Sequence, residues 1–156
     1  MKVCLNVLIN KKKEEIMKNV SPFIYVKDVD KSLCYYKDVF NAQTEILMGK
    51  DGRTYHAQLI IGDETFVHFS DTFHKHPVSK NPHLIIECDS LEELERVYKR
   101  LIDDGGHAKV KLNKTFFNAY HAEVKDHLNG IIWVFNYFLD EHISVSYTHL
   151  TLPTIL

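Results

Sequence analysis

The chain is poor in the features that mark a nucleic-acid binder, a membrane span or a disulfide scaffold. Its formal net charge is −2, so it offers no basic field for a phosphate backbone. No apolar run reaches the roughly 20 residues needed to cross a bilayer. Its three cysteines, Cys4, Cys34 and Cys88, lie far apart and form no C-x-x-C pair. An odd, scattered set predicts free thiols in a reducing compartment, hence a cytoplasmic protein, rather than a disulfide framework or zinc ribbon. A signal peptide is not expected either, because an apolar run precedes Lys11-Lys12-Lys13 and the charge order is reversed.

What is present is a soluble globular composition, 45% hydrophobic and 26% charged, in 156 residues. That is enough for one ordinary domain or two small, closely packed modules. The compact pattern starts near Val20, just after Met17. Residues 1–16 are therefore expected to be an upstream extension, 17–143 the domain, and 144–156 a non-native tail with no helical period.

The pattern centres on Tyr55–Asp71. Two apolar runs flank Gly62-Asp63, the signature of a β-hairpin. Strand alternation puts His68 on one face with Phe66 and Ser70, while Val67 and Phe69 share the other. His56 stands on the preceding strand. Upstream, Pro22–Val26 reads as a strand, and Lys31–Asn41 as a helix with Leu33, Tyr36 and Phe40 at helical spacing. Asp28 and Asp30 offer caps, Asn41 a stop, and Thr44–Met48 a further strand.

The order then repeats. Pro82–Cys88 is a strand, and Ser90 with Glu93 forms a capping box for a helix lined by Leu91, Leu94, Val97 and Leu101. Gly105-Gly106 end it. Strands over Ala108–Leu112 and Ala119–Val124 lead through Asn129-Gly130 into Ile131–Phe138. Asp28 and Asp89 stand at matching positions before the two helices. Two βαβββ modules, 19–72 and 81–138, are predicted, since neither could bury its sheet alone. The fold class is α+β, a curved mixed sheet with helices outside and a concave face within.

This order resembles the glyoxalase/bleomycin resistance/dioxygenase group, the vicinal oxygen chelate (VOC) superfamily. The resemblance is carried by Phe23-Ile-Tyr-Val-Lys-Asp28 with Ser32-Leu-Cys-Tyr-Tyr-Lys-Asp-Val-Phe40. Tyr55-His-Ala-Gln-Leu-Ile-Ile-Gly-Asp63, Phe69-Ser-Asp71 and Asp126-His-Leu-Asn-Gly-Ile-Ile-Trp133 resemble its PhnB-like branch. The resemblance implies a homodimer with a small-molecule ligand. Metal-using members place one ligand on the first and last strand of each module, which here are Ser21, His68, His83 and Val134. His68 and His83 are competent ligands for one divalent ion, zinc, nickel, manganese or iron; Ser21 and Val134 are not. Glu87 and His56 are the candidates for a third ligand or for moving a proton. With no metal, the cofactor set is empty.

Each candidate also has an ordinary explanation. His68 reads equally as a half-buried histidine bonded to a neighbouring strand, and His83 as a solvated residue after a proline. The stripe of Ile131, Trp133, Phe135 and Tyr137, like Phe23 with Tyr25, is core unless it lines a cavity. His74 and His76 fall in a polar loop, and Phe116-Phe117 in a turn. Three function classes follow. The first is a small-molecule-binding protein whose pocket is lined by Phe23, Tyr25, His56, His68 and Trp133. The second is a metal-dependent lyase, isomerase or dioxygenase. A dimeric protein with a decayed site is the third.

Overall fold

The computed structural model describes residues 19–63 and 65–139, so the expected extension and tail lie outside the described residues. Ten elements follow in order: β1 (Phe23–Val26), α1 (Val29–Phe40), β2 (Gln43–Lys50), β3 (Arg53–Ile61), β4 (Thr65–Asp71), β5 (His83–Glu87), α2 (Leu91–Asp103), β6 (His107–Lys114), β7 (Ala119–Lys125) and β8 (Ile132–Phe138). These are the two βαβββ modules. Each forms its own mixed four-stranded sheet, ordered β1-β4-β3-β2 and β5-β8-β7-β6. In both, the first strand runs parallel to the last. Among the described residues no ladder joins β1 to β5, so the single curved sheet expected is two sheets side by side.

Local chemistry sets the boundaries. The Asp28 carboxylate accepts the Lys31 amide and opens α1, while Asn41 closes it in the left-handed region at φ 51°. Ser90 Oγ accepts the Glu93 amide at 3.1 Å and opens α2. The true counterpart of Asp28 is therefore Ser90, not Asp89. At the other end of α2 a Cβ on Gly106 would stand 2.6 Å from the Leu101 carbonyl oxygen, so only glycine fits there.

The core lies between the helices and one face of each sheet. From α1, Val29, Leu33, Tyr36 and Phe40 point inward; from α2, Leu94, Val97 and Leu101 do. Helix α1 touches both sheets. Tyr36 stacks on Phe69 at 5.4 Å and meets the Trp133 ring edge-on at 5.3 Å, while Phe40 packs on Trp133 at 4.5 Å.

A buried carboxylate locks this junction. Asp126 Oδ2 accepts from the Tyr36 hydroxyl at 2.7 Å and the Trp133 indole at 2.9 Å. Its Oδ1 accepts the Asn129 and Gly130 amides at 2.8 and 3.1 Å. Asn129 in turn donates to Tyr36 and Ser32 on α1. Every group in the network has a partner. No helix among the described residues is long and apolar enough to cross a membrane.

Candidate functional site

With the helices covering one face of each sheet, the other face is open. On the first sheet the alternation of β1 turns Ile24 and Val26 into the core and leaves Phe23 and Tyr25 outside. Likewise β4 buries Val67 and Phe69 and turns His68 out, and β3 buries Ala57 and Leu59 and turns His56 and Gln58 out. Register then aligns them. Phe23, His68, Gln58 and Glu45 are successive partners in one row across the sheet; Tyr25, Ser70, His56 and Met48 form the next.

The rows close into one cluster. Nε2 of His56 and Nδ1 of His68 are 2.9 Å apart in a hydrogen bond, so one imidazole donates and the other presents a neutral nitrogen. Burial, and then the charge of His68, hold His56 below its ordinary pKa of 6.5. Phe23 lies 5.4 Å from His56, 6.3 Å from His68 in a parallel stack, and 5.2 Å from Tyr25. The ring of Phe23 is 50% exposed. From the loop between the modules, His76 stacks on Tyr25 at 4.6 Å. That loop is tied down by reciprocal bonds between the Ser79 and Tyr25 backbones and side chain. Phe73 stacks on Tyr55, and Asp71 holds Arg53 and the Phe73 amide.

Of the expected pocket residues, Phe23, Tyr25, His56 and His68 thus stand together. Trp133 does not join them. It is 0% exposed on the helix side of β8, its indole bound to Asp126. His83 is likewise elsewhere. It begins the edge strand of the second sheet, bonded to the Asn81 carbonyl at 2.9 Å. Its register partner is Ile132, and the Ile132 amide bonds to Pro82 as the His68 amide bonds to Pro22. His83 therefore occupies the place of Phe23, and the place of His68 is taken by Ile132. Glu87 ends the same edge strand and pairs in register with Asn136.

Among the described residues these donors do not form a three-ligand set for a divalent metal. His56 and His68 supply two nitrogens already bonded to each other, where three protein ligands are usual. Among the described residues no group of three His, Cys, Asp or Glu is placed to hold a metal ion.

One polar cluster escaped the sequence reading. On the open face of the second sheet, His121 Nδ1 lies 2.8 Å from Asn136 Oδ1 and Nε2 lies 3.4 Å from Glu123. The alternation of Ala119–Lys125 was its only signal. Enclosed space lies elsewhere again. A cavity of about 630 Å³ runs along β5, between it and Pro22, Ile61 and Val67, and touches none of Phe23, Tyr25, His56 or His68.

Residues 17–135 match the model of the Glyoxalase/Bleomycin resistance protein/Dioxygenase superfamily. No curated protein matches the chain. Among solved structures, protein PA1353 from Pseudomonas aeruginosa shares 21% identity at a TM-score of 0.66, over 80% of this chain and 100% of that one. TioX from Micromonospora sp. ML1 shares 19% at 0.59, over 78% and 100%. A PhnB protein from Bacillus cereus shares 20% at 0.62, over 77% and 99%. At such identities the likeness is one of fold.

Proposed function

The chain belongs to the glyoxalase/bleomycin resistance protein/dioxygenase superfamily, and on that premise we propose that it binds a small planar, aromatic or conjugated molecule on the open face of its first sheet, centred on His68. One observation carries this reading: the continuous run of rings from His76 through Tyr25 and Phe23 to His56 and His68. Aromatic edges and faces exposed in a row favour a flat partner by stacking, worth about 0.5–1.5 kcal/mol per ring beyond area burial. The imidazole pair adds a donor and an acceptor at the centre of the platform. Gln58 and Glu45, bonded to one another beside His68, supply a polar margin.

The same reading takes the protein to be a cytoplasmic homodimer of PhnB-like type. Its support is apolar surface that a lone chain leaves wet, including Phe116 at 99% exposure and Phe117 beside it at the β6–β7 turn. A metal-dependent lyase, isomerase or dioxygenase draws on the His56–His68 pair and needs a third ligand from beyond the described residues. Binding is therefore the function proposed.

The test is a titration of the ¹⁵N-labelled protein with indole and with 2-naphthol, followed by amide shifts. Saturable shifts at Phe23, Tyr25, His56 and His68 are expected, with affinity falling about tenfold in His68→Ala. Shifts scattered over the surface, or none that saturate, would refute the assignment.

A further inference from the structure

We infer that the seam between the two modules is a second ligand site, separate from the open face, and that it takes a small organic cation with an apolar body. The seam cavity holds about 630 Å³, within the range of small-molecule sites. Its walls are Pro22, Ile61 and Val67 from the first module, and Leu84, Ile85 and Trp133 from the second. Ile85 is 70% exposed, a large apolar side chain with no cover.

Among the described residues, every charged side chain lining that apolar space is a carboxylate. Asp63 comes from the β3–β4 turn, Glu87 from the end of β5, and Asp89 from the turn into α2. A neighbouring cavity of about 240 Å³ shares Ile61, Gly62, Glu87 and Asp89 and adds Glu93. Among the described residues neither lining contains a lysine or arginine, and His83 is the one imidazole. The negative field is felt by Cys88 at the inner end. Its thiol is pushed up to about 12, first by burial and then by Glu93 and Asp89, with Arg96 opposing.

The outer edge of β5 adds backbone groups beside these carboxylates. In the parallel ladder, Pro82 accepts from Ile132 and Cys88 donates to Asn136, so even-numbered residues of β5 face β8. The carbonyl and the amide N–H of Ile85 therefore both face away from β8. An ammonium group is a compact set of donors that suits such carbonyls and carboxylates. An alkyl or aryl body covers Ile85. An anion is disfavoured by the three lining carboxylates, and a neutral molecule gains nothing from them.

The experiment compares 3-phenylpropylammonium, 3-phenylpropan-1-ol and 4-phenylbutanoate, bodies of similar size and different charge, by ¹⁵N amide shifts on the full chain at low salt. The ammonium is expected to bind about tenfold more tightly than the alcohol, with shifts concentrated at residues 61–63 and 83–89, and the carboxylate not at all. Added salt should weaken the ammonium alone. Asp63 and Asp89 are both exposed, so a D63N/D89N variant should melt as the parent does while bringing ammonium and alcohol within about twofold. Equal affinity for ammonium and alcohol, failure of all three probes, or an unchanged preference in the double variant would overturn the proposal. So would shifts that centre on Phe23 and His68, which would assign the probe to the open face and leave that reading standing.

Discussion

Replacing Asp126 with alanine is expected to destabilise the domain by about 3–5 kcal/mol, near the upper end for a single substitution. The carboxylate is 3% exposed and accepts four hydrogen bonds. Two of the donors, the Asn129 and Gly130 amides, sit in a half-buried turn that water can reach after the change. The other two cannot be rehydrated. Tyr36 and Trp133 are fully buried, and each stranded donor costs about 1–3 kcal/mol. Tyr36→Phe offers a graded control. It removes one donor and leaves the carboxylate with three, so about 1–2 kcal/mol is expected. Asp126→Asn should fall between, because its amide can satisfy one side of the network but turns its own donors toward the indole. Urea unfolding followed by circular dichroism gives the comparison, with the midpoint reporting stability and the slope reporting surface exposed. A loss below about 1 kcal/mol for Asp126→Ala, or one smaller than that for Tyr36→Phe, would refute the reasoning. The outcome bears on function because this network ties the β7–β8 turn to α1 and so sets how the two sheets flank the seam.

Three further predictions follow from other sites. The folded pKa of His56 lies below 6.5, so the unfolded chain takes up this proton first as pH falls. Stability from this group is full above pH 6.5 and declines below it, and His56→Gln should flatten that decline in urea titrations. Cys34 is exposed and Cys88 buried with its thiol pushed up to about 12, so iodoacetamide at neutral pH should label Cys34 and spare Cys88 until the protein unfolds. Labelling of Cys88 at the rate of Cys34 would contradict the packing. Under the homodimer reading, F116S/F117S should shift sedimentation toward a monomer that still unfolds cooperatively; a dimer that survives the change would move the interface elsewhere.

Much of the fold was legible because turn and cap chemistry repeats. Asn41 ends α1 in the left-handed conformation, Asn129-Gly130 turns the chain with Gly130 at φ 68°, and Ser90 caps α2. His56 and His68 were placed on a shared face by alternation alone. Trp133 was not, and the reason is physical. On β8 both faces are apolar, Ile132 and Val134 on one and Trp133 and Phe135 on the other. A period of two then groups residues without saying which group meets the helices. The buried indole needed an acceptor, and Asp126 seven residues earlier was the available sign. His83 was matched to the wrong row because loops of unequal length hide the register. The prolines carried the true alignment, since Pro22 and Pro82 accept equivalent bonds. His76 belongs to a loop, where no periodicity links a residue to the face it covers.

Register also explains why the two open faces cannot do the same thing. The row Phe23, His68, Gln58, Glu45 in the first sheet corresponds to His83, Ile132, Lys125, His107 in the second. The next row, Tyr25, Ser70, His56, Met48, corresponds to Ile85, Val134, Glu123, Val110. Sheets of the same strand order thus present stacked rings and an imidazole pair on one side, and Ile85, Ile132, Val134 and Val110 with charged Lys125 and Glu123 on the other. The second face has no ring where the first has Phe23 and Tyr25 except His83, which is turned to Asn81. Its polar cluster joins Glu123 of that row to His121 and Asn136, one row farther along the strands. Under the proposed binding function, a flat ligand would have its platform on the first sheet. The aliphatic pair Ile85 and Val134 suits it as a cover, not as a second platform, so a ligand bound between two such faces would meet rings on one side and branched side chains on the other. An asymmetric site of this kind holds one molecule in one orientation, which a symmetric duplication would not.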